Sequence, residues 1–154
     1  MPPVDRTWAG ANGGGMGIEE EHVAKLKRTY RLWTESQGSS FKPWLDLLSD
    51  RLSFRSLAGG IPGAEFTRGG DSRADVMRYF DELSQDWEMV RFEVETFIAQ
   101  QDRVAVLGSC AWRHRRTHKV ADSPKADFFR FENGRIVEFI EFYDTAKIIA
   151  AATD

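Results

Sequence analysis

Apolar residues repeat along this chain at two intervals, and the change from one to the other divides it into a helical half and a stranded half. From Ile18 to about Gln37, Val23, Leu26, Tyr30 and Trp33 recur at spacings of three and four with Glu and Lys between them. That spacing predicts an amphipathic helix with Tyr30 and Trp33 on its core face. A second short helix is predicted over Lys42 to Leu48, then a first strand near Leu52 to Ser56 and a loop from Ala58 to Gly70. Ser72, with Asp75 three residues on, has the form of a capped helix start, and Val76, Met77, Phe80 and Leu83 carry that helix to about Gln85.

After Asp86 the segments become long and rich in aromatic and β-branched residues: Trp87 to Ala99, Arg103 to Arg115, Val120 to Phe131 and Ile136 to Tyr143. Their short connections, with turn chemistry at Gln101-Asp102 and Glu132-Asn133-Gly134, predict an antiparallel meander. Asp144 or Thr145 can cap a last helix over Ala146 to Ala152. Helix, helix, strand, helix and then four strands describe an α+β domain, a strongly curved, mostly antiparallel mixed sheet packed on three N-terminal helices. Strands this long must curl around such short helices, so a cone-shaped interior is expected, its mouth the default ligand site.

Which side chains enter the cone depends on the register of the last hairpin, because a slip of one residue exchanges the two faces. A two-residue Asn133-Gly134 loop pairs Glu132 with Arg135 and puts Asp127 on the face of Glu138, Ile140 and Phe142. A three-residue loop pairs Phe131 with Arg135 and sets Asp127 opposite Phe139. The second is favoured, because Arg130 and Glu138 then share the outer face while Lys125 stands opposite Glu141 on the inner one. The inner wall so defined carries Lys125, Asp127, Phe129, Phe131, Val137, Phe139, Glu141 and Tyr143. On the preceding strand Val104, Val106, Gly108, Cys110, Trp112 and His114 turn inward, leaving Arg113 and Arg115 in water.

Composition narrows the partners. The chain of 154 residues fits one domain, residues 18–154, behind a Gly- and Pro-rich stretch, 1–17, expected to be a flexible tail in which Met16 offers an alternative start. A net charge of -3 spread along the sequence leaves no footprint for nucleic acid or an anionic membrane. One cysteine, Cys110, and three scattered histidines predict neither an internal disulfide nor a metal site, and a cytoplasmic protein without cofactor is expected. A small hydrophobic molecule is the expected ligand.

The run from Ala126 to Glu138, closing with Glu141-Phe142-Tyr143-Asp144-Thr145, resembles the C-terminal signature of SnoaL-like proteins in the nuclear transport factor 2-like superfamily. The likeness covers about Ile18 to Ala152. Members of that superfamily include polyketide cyclases, ketosteroid isomerases and epoxide hydrolases, along with proteins that only bind or dimerise. The resemblance implies a cone-shaped cavity and usually a homodimer. Asp127 matches the acidic position of the cyclase-like pattern, whereas Phe139 stands where that pattern often has His, and Glu141 where it has Asp.

Asp127 on an apolar wall is partly desolvated, which favours the neutral acid and suits proton exchange beside a carbonyl or enol. The competing reading has it bonded to a backbone amide or to Lys125, organising the interior only. Glu141 is either a second acid or base or the salt-bridge partner of Lys125, and the latter is favoured. Tyr143 and Tyr30 can donate to a ligand oxygen or serve as core aromatics. His114 ranks below Asp127 as a proton carrier because it adjoins the Arg115-Arg116 turn. Trp33, Phe54, Phe80, Trp112, Phe129 and Phe139 form an aromatic berth for a ligand, or core. Cofactor-independent isomerase, cyclase or hydrolase chemistry therefore stands against a binding or dimerisation module. A third reading is an assembly protein using the outer sheet face, with Arg91, Glu93 and Glu95.

Overall fold

A computed structural model describes residues 17–154. The tail expectation for residues 1–17 lies outside these residues except at Gly17, the N-cap of the first helix. That helix, α1 (Ile18–Glu35), opens with Glu19, Glu20 and Glu21, whose charge complements the positive end of its dipole. After α2 (Lys42–Leu47) come β1 (Leu48–Ser56), a single 3-10 turn (Glu65–Thr67), β2 (Gly70–Ser72) and α3 (Arg73–Asp86). The predicted capping box is present on α3: Ser72 accepts from the Asp75 amide while the Asp75 carboxylate accepts from Ser72. The meander follows as β3 (Trp87–Gln100), β4 (Arg103–His114), β5 (Val120–Glu132) and β6 (Arg135–Tyr143), before α4 (Thr145–Ala152), capped by Asp144.

The six strands form one sheet in the order β2-β1-β6-β5-β4-β3, with β1 parallel to β6 and every other pair antiparallel. Two elements escaped the sequence pattern. β1 starts at Leu48 rather than Leu52, and β2, three residues long, has no periodicity to announce it. Two bulges bend β3. Opposite the second of them a Cβ on Gly108 would meet the Glu93 carbonyl oxygen at 2.0 Å, so only glycine permits that approach.

The last hairpin follows neither register in full. Asn133 and Gly134 both take positive φ, 51° and 76°, and make the two-residue turn with Glu132 opposite Arg135. A bulge then skips Val137, so that Phe131 pairs with Ile136 but Arg130 with Glu138. Beyond it Asp127 faces Glu141 and Lys125 faces Tyr143, which corrects the expected pairings of Asp127 with Phe139 and Lys125 with Glu141. The bulge reconciles the turn Asn-Gly prefers with a strand whose Phe139 and Glu141 must point inward. Accordingly Ile136, not Val137, is fully buried at the turn end.

The helices close the concave face: α1 lies over β3 and β4, α3 over β1 and β2. Leu26, Leu48, Phe54, Val76, Val104, Phe129 and Ile136 form the driest part of the core. The basic tip of the β4–β5 hairpin clamps α4. Arg116 and Lys119 donate to the carbonyls of Ala152 and Thr153 at 2.6 Å each, satisfying a helix end that would otherwise be open. The Gly59 to Gly63 stretch is an anchored loop, with the Gly60 amide donating to Thr67 Oγ1 at 3.0 Å and Arg68 bound bidentately by Glu82. No described helix is long and apolar enough to cross a membrane.

His22 on α1 stacks on Phe131 with ring centroids 4.1 Å apart, and its buried Nδ1 has no hydrogen-bond partner. Burial, with a smaller push from Lys25, lowers its proton affinity below that of an unfolded histidine. Because the folded value is the lower one, His22 favours folding above the ordinary value of about 6.5. That advantage is lost as pH falls below it, where the unfolded chain binds the proton more readily. The difference in melting temperature between wild type and His22→Phe is expected to move in favour of the variant between about pH 7 and about pH 5. A difference that stays flat across that range would contradict a buried neutral imidazole.

Candidate functional site

Three charged side chains meet inside the cone. Lys125 and Asp127 alternate onto the inner face of β5, and Glu141 reaches that face from β6. Asp127 and Glu141 are buried, at 3% and 4% exposure, and Lys125 is nearly so, with a tenth of its side chain exposed. Lys125 Nζ donates to Asp127 Oδ1 at 2.7 Å and to Glu141 Oε2 at 2.9 Å. The second oxygen of each carboxylate is also occupied: Tyr30 on α1 donates its hydroxyl to Asp127 Oδ2, and Ser56 at the end of β1 donates to Glu141 Oε1 at 2.6 Å.

Hydrogen-bond direction propagates outward. Ser56 spends its one proton on Glu141, so Tyr143, 2.5 Å from Ser56 Oγ, must donate to it. The Tyr143 oxygen in turn accepts from the Ala58 amide at 3.3 Å. One chain of polar contacts therefore runs from α1 through β5 and β6 to β1: Tyr30, Asp127, Lys125, Glu141, Ser56, Tyr143.

Opposing effects set the protons on this chain. Burial alone would discharge Lys125, yet the two carboxylates outweigh it and hold the ammonium firmly protonated. Burial raises Asp127, Lys125 pulls it back, and Glu141 pushes it up again, with a net rise above the ordinary carboxylate value. One ammonium cannot neutralise two carboxylates, and the balance of these effects makes Asp127 hold a proton more readily than an exposed carboxylate does. Burial and the Asp127 charge drive the Tyr30 phenol well above its usual value, and burial with Glu141 pushes Tyr143 up to about 12. Both remain neutral donors. Burial pushes Cys110 up to about 11, making it an inert thiol.

The sequence-predicted residues divide into three places. Asp127, Glu141, Tyr143 and Tyr30 share the polar chain. Phe129, Phe139 and Phe54 pack beside it; Phe129 and Phe139 stack with centroids 4.8 Å apart, and Trp44 lies parallel to Phe139. Phe41, Phe80 and Trp112 gather around Trp33 in a second aromatic nest, linked to Phe54 through Tyr79. His114 belongs to neither. It lies eight residues along β4 from Val106, the partner of Asp127, or about 26 Å at the usual strand rise. There its ring meets the Trp87 edge, its Nδ1 accepts from the Thr117 amide at 3.4 Å, and burial and Arg116 lower its proton affinity.

Sequence reasoning missed Ser56 and Tyr79. Ser56 continues the inward alternation of Leu52 and Phe54, and a hydroxyl on that parity was the available signal. Tyr79, buried on α3, stands in the field of Glu141. None of five clefts on the described surface is lined by Asp127, Lys125 or Glu141. The polar chain meets a cleft at Tyr30, which lines a groove of about 690 Å³ between α1 and β3 with Phe92 and Phe97. Among the described residues no group of three or more His, Cys, Asp and Glu is placed to hold a metal ion.

Removing Lys125 would leave both carboxylates buried without a counter-charge. Lys125→Met is expected to cost about 3–5 kcal/mol in denaturant unfolding at neutral pH. The deficit should shrink as the pH is lowered and the stranded carboxylates protonate. A loss that does not depend on pH would show that packing of the lysine stem, not its charge, is what matters.

Residues 26–139 match the SnoaL-like domain. No curated protein sequence matches the chain. Among solved structures, an NTF2-like protein of unknown function from Burkholderia pseudomallei superposes with a TM-score of 0.75 at 21% identity, covering 87% of this chain and 98% of that one. TerC, co-crystallised with polyporic acid, superposes at 0.73 with 14% identity over 86% of this chain and 98% of its own. A Catenulispora acidiphila protein of ketosteroid isomerase-like fold, in complex with trimethylamine, gives 0.65 with 10% identity over 80% and 91%. The matched segment runs from the buried Leu26 of α1 to Phe139 beside the acid cluster, most of the folded chain, and this protein belongs to the SnoaL-like family.

Proposed function

We propose that the protein binds a small hydrophobic molecule carrying a carbonyl or enol oxygen, and that Asp127 exchanges a proton with it in an isomerase- or cyclase-type reaction without a cofactor. The observation that carries this reading is a buried carboxyl with raised proton affinity, bonded to a tyrosine that lines a groove. A carboxylic acid kept neutral by an apolar site can donate a hydrogen bond to a developing oxyanion, and a neighbouring phenol does the same. The ligand would enter between α1 and β3, with its oxygen displacing the Tyr30 contact to Asp127. Lys125, Glu141, Ser56 and Tyr143 would hold the geometry. The complexes of TerC with polyporic acid and of the Catenulispora protein with trimethylamine support small-molecule binding on this fold. Phe139, stacked among rings, carries no proton, which weights the proposal toward isomerase chemistry.

A second reading, a non-catalytic module, draws on the fact that each carboxylate oxygen already has a partner inside the protein. Deuterium uptake next to the carbonyl of steroid-like and polyketide-like ketones in D2O, followed by NMR, separates the two. Uptake catalysed by wild type and reduced about a hundredfold or more in Asp127→Asn is expected for acid–base catalysis. Binding without uptake would leave only the module.

The homodimer is proposed on the outer sheet face. Ile98, Leu107, Phe128 and Phe142, each at least 39% exposed, project from four consecutive strands, and Phe128 meets Phe142 edge to face at 5.5 Å. A contiguous apolar face bordered by the Arg130–Glu138 and Arg91–Asp122 ion pairs suits a second copy of the chain. Its lone buried thiol is in keeping with the cytoplasm, where we place it. Sedimentation of wild type should give a dimer mass and Phe128→Glu a folded monomer; a monomeric wild type would remove this face from consideration.

A further inference from the structure

A cleft of about 700 Å³ lies away from the acid cluster, where α1, α2 and the β5–β6 turn meet. Its lining carries four cations, Lys25, Arg28, Lys42 and Arg135, against one carboxylate, Asp46. That is a net charge of +3 on a chain whose total is -3. Lys42 is neutralised by Asp46 at 2.6 Å. Lys25, Arg28 and Arg135 have no acidic partner among the described residues.

Two of these three are aimed by the backbone rather than by counter-charges. Lys25 Nζ donates to the Gly134 carbonyl at 3.1 Å, and Arg135 donates to the carbonyls of Asp46 and Leu48 at 3.3 and 3.4 Å. Arg28, one helical turn from Lys25 on the same face of α1, makes no hydrogen bond to the described residues and keeps its whole donor fork for a ligand. Like charges on neighbouring positions of a helix repel, yet Lys25 and Arg28 stand one turn apart, whereas Arg68 is paired with Glu82 and Arg91 with Asp122; Arg51 and Arg55, also without an acidic partner among the described residues, lie outside the cleft. Leu32, Pro43 and Leu47 line the same cleft and offer an apolar surface beside the cations.

We propose that this cleft is a second binding site, for a small organic phosphate. The phosphate would sit among Lys25, Arg28 and Arg135, with a fork-to-oxygen contact from Arg28, and a compact apolar group would lie on Leu32 and Leu47. A phosphate dianion matches the unbalanced charge better than a monocarboxylate, and the apolar lining distinguishes an organic ester from the free ion.

The test is titration of the full chain at low ionic strength with phenyl phosphate, inorganic phosphate and benzoate, followed by amide chemical shifts. Phenyl phosphate is expected to bind most tightly and to move resonances of residues 25–32, 42–47 and 133–135. Arg28→Gln, which breaks no hydrogen bond or ion pair to the described residues, should weaken it about tenfold, the loss of one charge-assisted contact. Arg51→Gln, at an exposed cation outside the cleft, should leave it unchanged. Asp127→Asn should also bind normally, so this site stands or falls apart from the proposed acid–base function. Shift changes elsewhere, equal losses in Arg28→Gln and Arg51→Gln, or no binding of phenyl phosphate would overturn the proposal. Equal affinity for phenyl phosphate and inorganic phosphate would overturn its organic part.

Discussion

An ammonium enclosed with two carboxylates dictates much of what surrounds it. Taking three charges out of water costs several kcal/mol for each ion, and the interior can hold them only if every charged atom finds a partner at hydrogen-bonding distance. Lys125 supplies two of those contacts from β5. Tyr30 must then be delivered from α1 and Ser56 from β1, because each carboxylate has an oxygen that Lys125 does not reach. The cluster thereby ties the first helix, the parallel strand and the last hairpin to one another. These elements are far apart in sequence; β1 and β6 are also joined by their parallel ladder, whereas α1 would otherwise be held to the sheet mainly by packing. A one-residue slip of β6 would turn Glu141 outward and leave the lysine with Asp127 alone, so the bulge at Val137 serves charge satisfaction as much as it serves packing.

The same arrangement sets the available chemistry. Two negative charges and one positive in a dry site leave an imbalance that a single proton removes, and the opposing influences on Asp127 make it the acceptor. Glu141 is held by Ser56 and Lys125, and Lys125 by both acids, so the contacts around Asp127 are fixed from both sides. Phe129, Phe139 and Tyr30 pack around the cluster, so its charges are screened less than they would be in water and act more strongly on one another and on any group that reaches Tyr30.

Much of this was legible in the sequence, though unevenly. Alternation put Asp127 and Phe129 on one face of β5 and Phe139 and Glu141 on one face of β6, and charge pairing in the favoured register joined the two faces into one wall. Pairing offsets were not legible. A bulge is a local compromise between turn chemistry at Asn133-Gly134 and burial further along, and no periodicity records it. The salt bridge between Lys125 and Glu141 was anticipated, but as a directly opposite pair; the structure makes it diagonal and gives the lysine a second acid. Tyr30 was visible as a core aromatic, whereas its contact with Asp127, 97 residues away, depends on how α1 lies across the sheet. His114 misled because strand parity says which face a residue joins and nothing about how far along the face it sits.

β5 carries the consequences of this design in alternating residues. Lys125, Asp127 and Phe129 build the inner cluster, while Phe128 stands on the opposite side of the same backbone, exposed. A copy of the chain seated on the outer face would press on the strand whose inner side holds the ion cluster. Strand β5 lies between β4 and β6 and has hydrogen-bonded neighbours along both edges, so it cannot yield sideways. Restraining Phe128 would therefore restrain Asp127, and the freedom α1 needs to part Tyr30 from the carboxyl must come from the helix side. On that side the groove between α1 and β3 already opens at Tyr30, which makes α1, rather than the sheet, the element whose movement would admit a ligand.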